Sequence, residues 1–250
     1  MVKALHAELQ KAHRRHDLVI CLAVPVIVTL WAGWSAPTDA DELANAYSAL
    51  LYALPVLNAI LMPIVMALIA SRLWDMEVKG STTKLLYTLQ SRRSLFAGKA
   101  ALGVGEVLLM TALEMAAAAG LGQLQHYTEP FPAVPFVYTG VCTLAVDTML
   151  FFSELLLMLV FDNPLPALSV GIVGALVGLF SGFMPVVVSY FVPWGYFFPL
   201  SCYEVARWDQ ASHTVIYGLR PYNWGLLAFT LVLAAVLFAA AWQMMRSKEV

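Results

Sequence analysis

No part of this 250-residue chain reads as a soluble domain, and no GxxxxGK[ST] phosphate loop is present. The nearest glycine pattern, "GVGEVL" at 103–108, lies inside an apolar run with no strand before it. Any work driven by ATP must therefore be done by another chain. Cysteine is scarce, and Cys21, Cys142 and Cys202 form neither a CxxC nor a Cys/His cluster. That pattern indicates neither a disulfide framework nor a thiolate metal site, so the three read as small buried hydrophobes. His6, His13 and His16 lack carboxylate or cysteine partners at ligand spacing, so no metal is expected. Charge is also scarce. Charged residues make up 12% of the chain and hydrophobic ones 61%, more apolar surface than a soluble domain of this length buries. An integral membrane protein follows. No convincing small-residue cleavage site follows the apolar start near Leu18, which is read as a retained span.

Apolar runs long enough to cross a hydrocarbon core predict six transmembrane helices, at 18–36, 46–72, 95–122, 134–161, 167–192 and 224–245. The fold class is thus an all-α polytopic membrane protein, a single domain over 1–250. Residues 193–223 are rich in aromatics but broken by Pro193, Pro199, Pro221 and charges, which suits an interfacial or re-entrant segment better than a seventh span. Twelve of the 14 basic residues fall before span 1, between spans 2 and 3, or after span 6. The opposite loops hold Asp39, Asp41, Glu42, Glu129, Glu204 and Asp209 with only Arg207 and Arg220. The positive-inside rule then makes both termini cytoplasmic, in a bacterial plasma membrane. Residues 1–17 place Leu5 and Leu9 on one side among Lys3, Lys11, Arg14 and Arg15, the pattern of an amphipathic helix lying in the inner interface. The same charges also fit a plain cytoplasmic tail that sets topology.

Residues 100–206 contain no Lys or Arg, yet Glu106, Glu114, Asp147 and Glu154 fall within spans 3 and 4. A charged carboxylate facing lipid costs about 2.5 kcal/mol or more, so these acids should face the bundle interior or a wet cavity. If spans 3 and 4 form an antiparallel hairpin, Glu106 lies at a depth between Asp147 and Glu154, which permits a cluster. Three roles are compatible with them: packing elements, partners for a cation on a related subunit, or the lining of a path for a cationic substrate or a proton. Pro25, Pro55 and Pro63 should kink spans 1 and 2, and Gly171, Gly174, Gly178 and Gly182 are spaced for close helix contact. No catalytic constellation is seen.

Residues 73–94 form a polar, basic break between spans 2 and 3, and Leu85, Leu86 and Leu89 recur there at helical spacing. A short helix with one apolar side fits a groove in a partner protein. A basic loop resting on lipid headgroups is the other reading.

Six spans, the amphipathic arm, "EVKGSTTKLLYTLQSRRSLFAGK" at 77–99 and "FVPWGYFFPL" at 191–200 together resemble the ABC-2 type transporter permeases. Within them the likeness is closest to the permease subunits of lantibiotic-immunity and bacitracin-type exporters. The resemblance implies a permease that does no chemistry itself and holds no cofactor, with ATP and Mg bound by a partner. Its partners would be a cytosolic ABC ATPase dimer, a second permease subunit of the same or a related kind, membrane lipid and an amphipathic peptide substrate, with no nucleic acid. It also implies that Glu77, Gly80 and Lys84 dock on the ATPase, with Leu85, Leu86, Leu89, Arg92 and Arg93 in the same coupling segment. Lys99 would then help position the start of span 3. Asp162, Asn163 and Pro164 would make a smaller cytosolic contact, and Pro193, Trp194 and Tyr196 would form an outer aromatic element.

Overall fold

The computed structural model describes residues 10, 17–79, 91–161, 163–209 and 214–247. Each apolar run becomes a helix, because only a helix satisfies all its backbone groups internally where no water is available. These helices are α1 (Asp17–Trp34), α3 (Ala46–Lys79), α4 (Arg92–Leu124), α5 (Ala133–Phe161), α6 (Pro164–Ser181) and α8 (Trp224–Ser247). Five are long and apolar enough to cross a membrane, and the apolar part of α1, Leu18–Trp34, is a shorter sixth. Two single-turn helices, α2 (Ala40–Leu43) and α7 (Val186–Ser189), lie in the connections. The helical assignment continues through Pro25 in α1 and through Pro55 and Pro63 in α3.

The central helix is α5, which packs against α3, α4, α6 and α8, while α1 lies against α4 and α3. The antiparallel α4–α5 hairpin expected from the sequence is present. Contacts sort to two ends. At one end Tyr47 of α3 meets Tyr127 and Phe131 edge to face, and Asn223 donates its backbone N–H to the Tyr138 hydroxyl of α5. At the other end Phe96 of α4 packs on Phe238 and Trp242 of α8. The described starts of α1 and the end of α8 therefore share one end of the bundle. α3 has 34 residues and α4 has 33, so each is about 50 Å long against a hydrocarbon core of about 30 Å. Both are longer than the core is thick, and the ends that flank the polar break hold Arg72, Arg92 and Arg93.

Two features differ from the sequence reading. The fifth span stops at Ser181 rather than continuing to 192, because Gly182, Phe183 and Met184 turn back on the last helical carbonyls and Pro185 lacks a donor to continue the ladder. The helices run into the polar break of 73–94 from both sides, α3 to Lys79 and α4 from Arg92. Ser91 caps α4 by accepting the Ser94 N–H at 3.3 Å.

The second difference is a change of class within 193–223. After a single 3-10 turn at Pro193–Gly195, the chain forms two antiparallel strands, β1 (Tyr203–Asp209) and β2 (Thr214–Leu219), with a bulge between Val205 and Arg207. The all-α bundle thus carries a small β-hairpin cap. Tyr217 of β2 rests on Tyr52 of α3 with ring centroids 5.2 Å apart, and Arg220 meets Glu204 at 3.5 Å. Asn223 ties this region down. It accepts the Leu226 N–H at 3.1 Å as a cap for α8, and its amide donates to the Tyr190 hydroxyl at 2.8 Å and to Pro199 O at 3.3 Å.

Candidate functional site

Near mid-depth in the bundle, α3, α4 and α5 each turn polar side chains inward. Asn58 of α3, Glu114 of α4 and Asp147 of α5 are all 0% exposed. Thr111 donates to Asp147 Oδ2 at 3.5 Å, and the Asn58 amide donates to Thr143 at 3.5 Å. Asn58 lies beside Glu114, and the Glu114 and Asp147 carboxyls are near enough to feel each other's charge. Asn58 Oδ1 and Asp147 Oδ1 find no hydrogen-bond partner. Among the described residues no lysine or arginine is paired with Glu114 or Asp147. An isolated carboxylate in an apolar interior costs several kcal/mol. The group is therefore suited to hold a proton or to receive a cation or a strong donor from outside the chain.

The structure gives the acids different neighbours. Asp147 meets Glu114; the Thr111 to Asp147 hydrogen bond leaves Glu106 at a depth between Asp147 and Glu154, as expected, but on the side of α4 that faces α1. Glu106 lies where α4 faces α1, and its backbone carbonyl accepts the Cys21 thiol at 3.7 Å. Glu154 is on the same α5 stripe as Asp147, two turns away, and is fully buried. The participation of Asn58, Thr111 and Thr143 was not anticipated. Asn58 is an amide set inside an apolar run, and that was the available signal.

Toward the ends of α3 and α4 that flank the polar break, Lys99 is 1% exposed and donates from Nζ to the Leu73 carbonyl. Its ammonium lies 5.8 Å from the centroid of the Trp74 ring. A buried lysine thus joins the two helices that flank the polar break. Of the coupling candidates, Arg92 and Arg93 open α4. Gly80, Lys84, Leu85, Leu86 and Leu89 lie outside the described residues, as does Asp162, and Glu77 is described only as backbone of α3. Asn163 caps α6 by accepting the Leu165 N–H at 3.0 Å, with Pro164 as its first helical residue.

At the hairpin end, Pro193, Trp194 and Tyr196 belong to one packed unit with α6. A Cβ on Gly174 would overlap the Trp194 ring, and one on Gly178 would lie 2.8 Å from Trp194 O. On Gly171 it would lie 2.7 Å from Ala67 Cβ of α3. The glycine stripe is therefore a packing surface, one part for α3 and the rest for the aromatic element. Tyr196 donates to Tyr190 O at 3.1 Å. Outside the spans, burial raises the pKa of the Tyr203 phenol and of the Cys202 thiol.

Long apolar helices around buried carboxyls make this a polytopic helical membrane protein. The chain matches the ABC-2 family transporter proteins over residues 4–200 and belongs to that family. It is accordingly a multi-pass permease of an ABC transporter, a transport subunit associated with an ABC ATPase. No curated protein sequence matches it.

Proposed function

We propose that this permease expels an amphipathic, lantibiotic-like antimicrobial peptide from the membrane and so protects the cell that makes it. In this reading both termini are cytoplasmic, and ATP with Mg is hydrolysed by a dimeric partner ATPase below a pair of permeases. What supports the mechanical part is the length of α3 and α4, each greater than the hydrocarbon core is thick, at a bundle end rich in Arg72, Arg92, Arg93 and Arg246. Two rigid helices leaving the membrane side by side are levers on which a cytosolic partner can act. The segment between them supplies Glu77, Gly80, Lys84, Leu85, Leu86 and Leu89 as the docking surface, with Asp162, Asn163 and Pro164 as the smaller contact at the same end. Lys99, bonded to α3 from within α4, passes that movement into the bundle. Glu114 and Asp147 line the path, with Glu106 and Glu154 at other depths, and supply acceptors for a cationic group as it crosses. The same acids as pure packing elements are the second reading, favoured by their complete burial in this state.

Copurification is the direct test. The chain should bring down an ABC ATPase whose turnover depends on it, and Glu77→Ala or Gly80→Pro should release or uncouple that ATPase with membrane insertion intact. Activity without any ATPase in the extract would overturn the exporter reading. Expression in a lantibiotic-sensitive strain should raise peptide tolerance; unchanged tolerance in an assembled complex would leave export of another lipid-like or drug-like substrate.

A further inference from the structure

A cavity of about 750 Å³ opens at the hairpin end on the side of α3 that faces away from Asn58 and the buried carboxyls. It is bounded by Trp31 near the end of α1, by Tyr52, Val56 and Ile60 along α3, and by Tyr217 of β2. Ala46 and Ile60 both line it. At the rise of a helix they are about 20 Å apart, so the groove reaches from the membrane surface to near the bilayer midplane. Its walls are mainly apolar and aromatic. Its mouth carries Glu42 of α2, whose Oε2 accepts the Thr38 N–H at 2.9 Å, and no lysine or arginine lines it.

We infer that this groove binds a single-chain cationic amphiphile, with the apolar chain lying along α3 and the cation held at Glu42. The volume is that of a site for one drug-sized ligand. Depth and direction match a chain that already stands in one leaflet, so the ligand keeps its apolar part out of water throughout. At the mouth an ammonium meets the Glu42 carboxylate, and the walls carry the aromatic Trp31 and Tyr52. An anionic head of equal length meets Glu42 and finds no base among the lining residues. This inference rests on the exporter reading and deepens it, because it gives the permease a substrate class and a seat in the leaflet on the hairpin side.

The probe is a trimethylammonium with a terminally brominated undecyl chain, titrated below its micellar range into the purified permease in zwitterionic nanodiscs. Its chain should quench tryptophan fluorescence, and Trp31→Phe should remove most of that quenching. The matched brominated sulfate should bind several-fold more weakly. Glu42→Gln, which keeps an acceptor for Thr38, should erase about a fivefold preference for the cation. Ala53→Phe, placed in the groove wall, should abolish quenching by both. Equal binding of the two probes overturns the inference, as does quenching that survives Ala53→Phe, or a preference that survives Glu42→Gln. Copurification of the ATPase is read separately: its absence with cation-selective quenching intact sinks the exporter reading and leaves the site standing.

Discussion

Asp147 illustrates how a residue placed alone by sequence acquires meaning from its neighbours. One oxygen accepts from Thr111, the other has no donor, and Glu114 approaches from the next helix. Asn at this position keeps an acceptor for Thr111 and removes the charge that a cation would meet. Asp147→Asn should therefore leave assembly and the thermal midpoint near wild type while transport falls by about tenfold, the equivalent of about 1.4 kcal/mol in the barrier. Flux measured in vesicles against a melting curve separates the two quantities. Unchanged flux in an assembled complex would assign the acid to packing.

At the scale of elements, the α6 stripe and the Trp194 turn are one joint. The stripe exists because Gly174 and Gly178 admit the indole and its backbone where any Cβ would collide. Gly174→Leu should lower stability by about 1–3 kcal/mol, the range of overpacking in a close-packed interior, and should change tryptophan emission as Trp194 is displaced. A second joint lies at the start of α3. Glu129, in the loop between α4 and α5, accepts from both the Ser48 N–H and the Ser48 hydroxyl, so a carboxylate from another part of the chain satisfies the helix N-terminus. Glu129→Ala should cost about 1–2 kcal/mol by melting, as the loss of a helix cap does. Glu204→Ala, which removes an exposed ion pair with Arg220, should stay within about 1 kcal/mol. A larger effect at Glu204 than at Glu129 would reverse this ranking.

For the whole molecule, the even number of passes puts the start of α1 and the end of α8 at one end and the β-hairpin at the other. The proposed orientation, which follows the positive-inside rule, sets the first end in the cytosol. Cys21, Cys142 and Cys202 are all buried, so the native background of thiol labelling should be low. Ser247→Cys should react with an impermeant maleimide only in inverted vesicles, and Ser35→Cys only in intact cells. The opposite pattern would invert the orientation and place the amphiphile groove in the inner leaflet.

Helix number, helix limits to within a few residues in most spans, and the presence of acids in spans 3 and 4 were legible in the sequence, because run length and charge exclusion are local properties that the bilayer enforces on each segment alone. The hairpin at Tyr203–Asp209 and Thr214–Leu219 was less visible, since its short β-branched and aromatic runs have the same composition as an interfacial segment. What only the tertiary structure decided was pairing. Helix periodicity placed Asp147 and Glu154 on one face of one helix, and the hairpin placed Glu106 at a depth between them, but neither contained information on which face of α4 packs on α5, where packing brought Glu114 to Asp147. The same holds for Trp194 in the glycine stripe and for the groove along α3. Each joins residues far apart in the chain, and such contacts are set by how side-chain surfaces of different helices fit, which no single segment encodes.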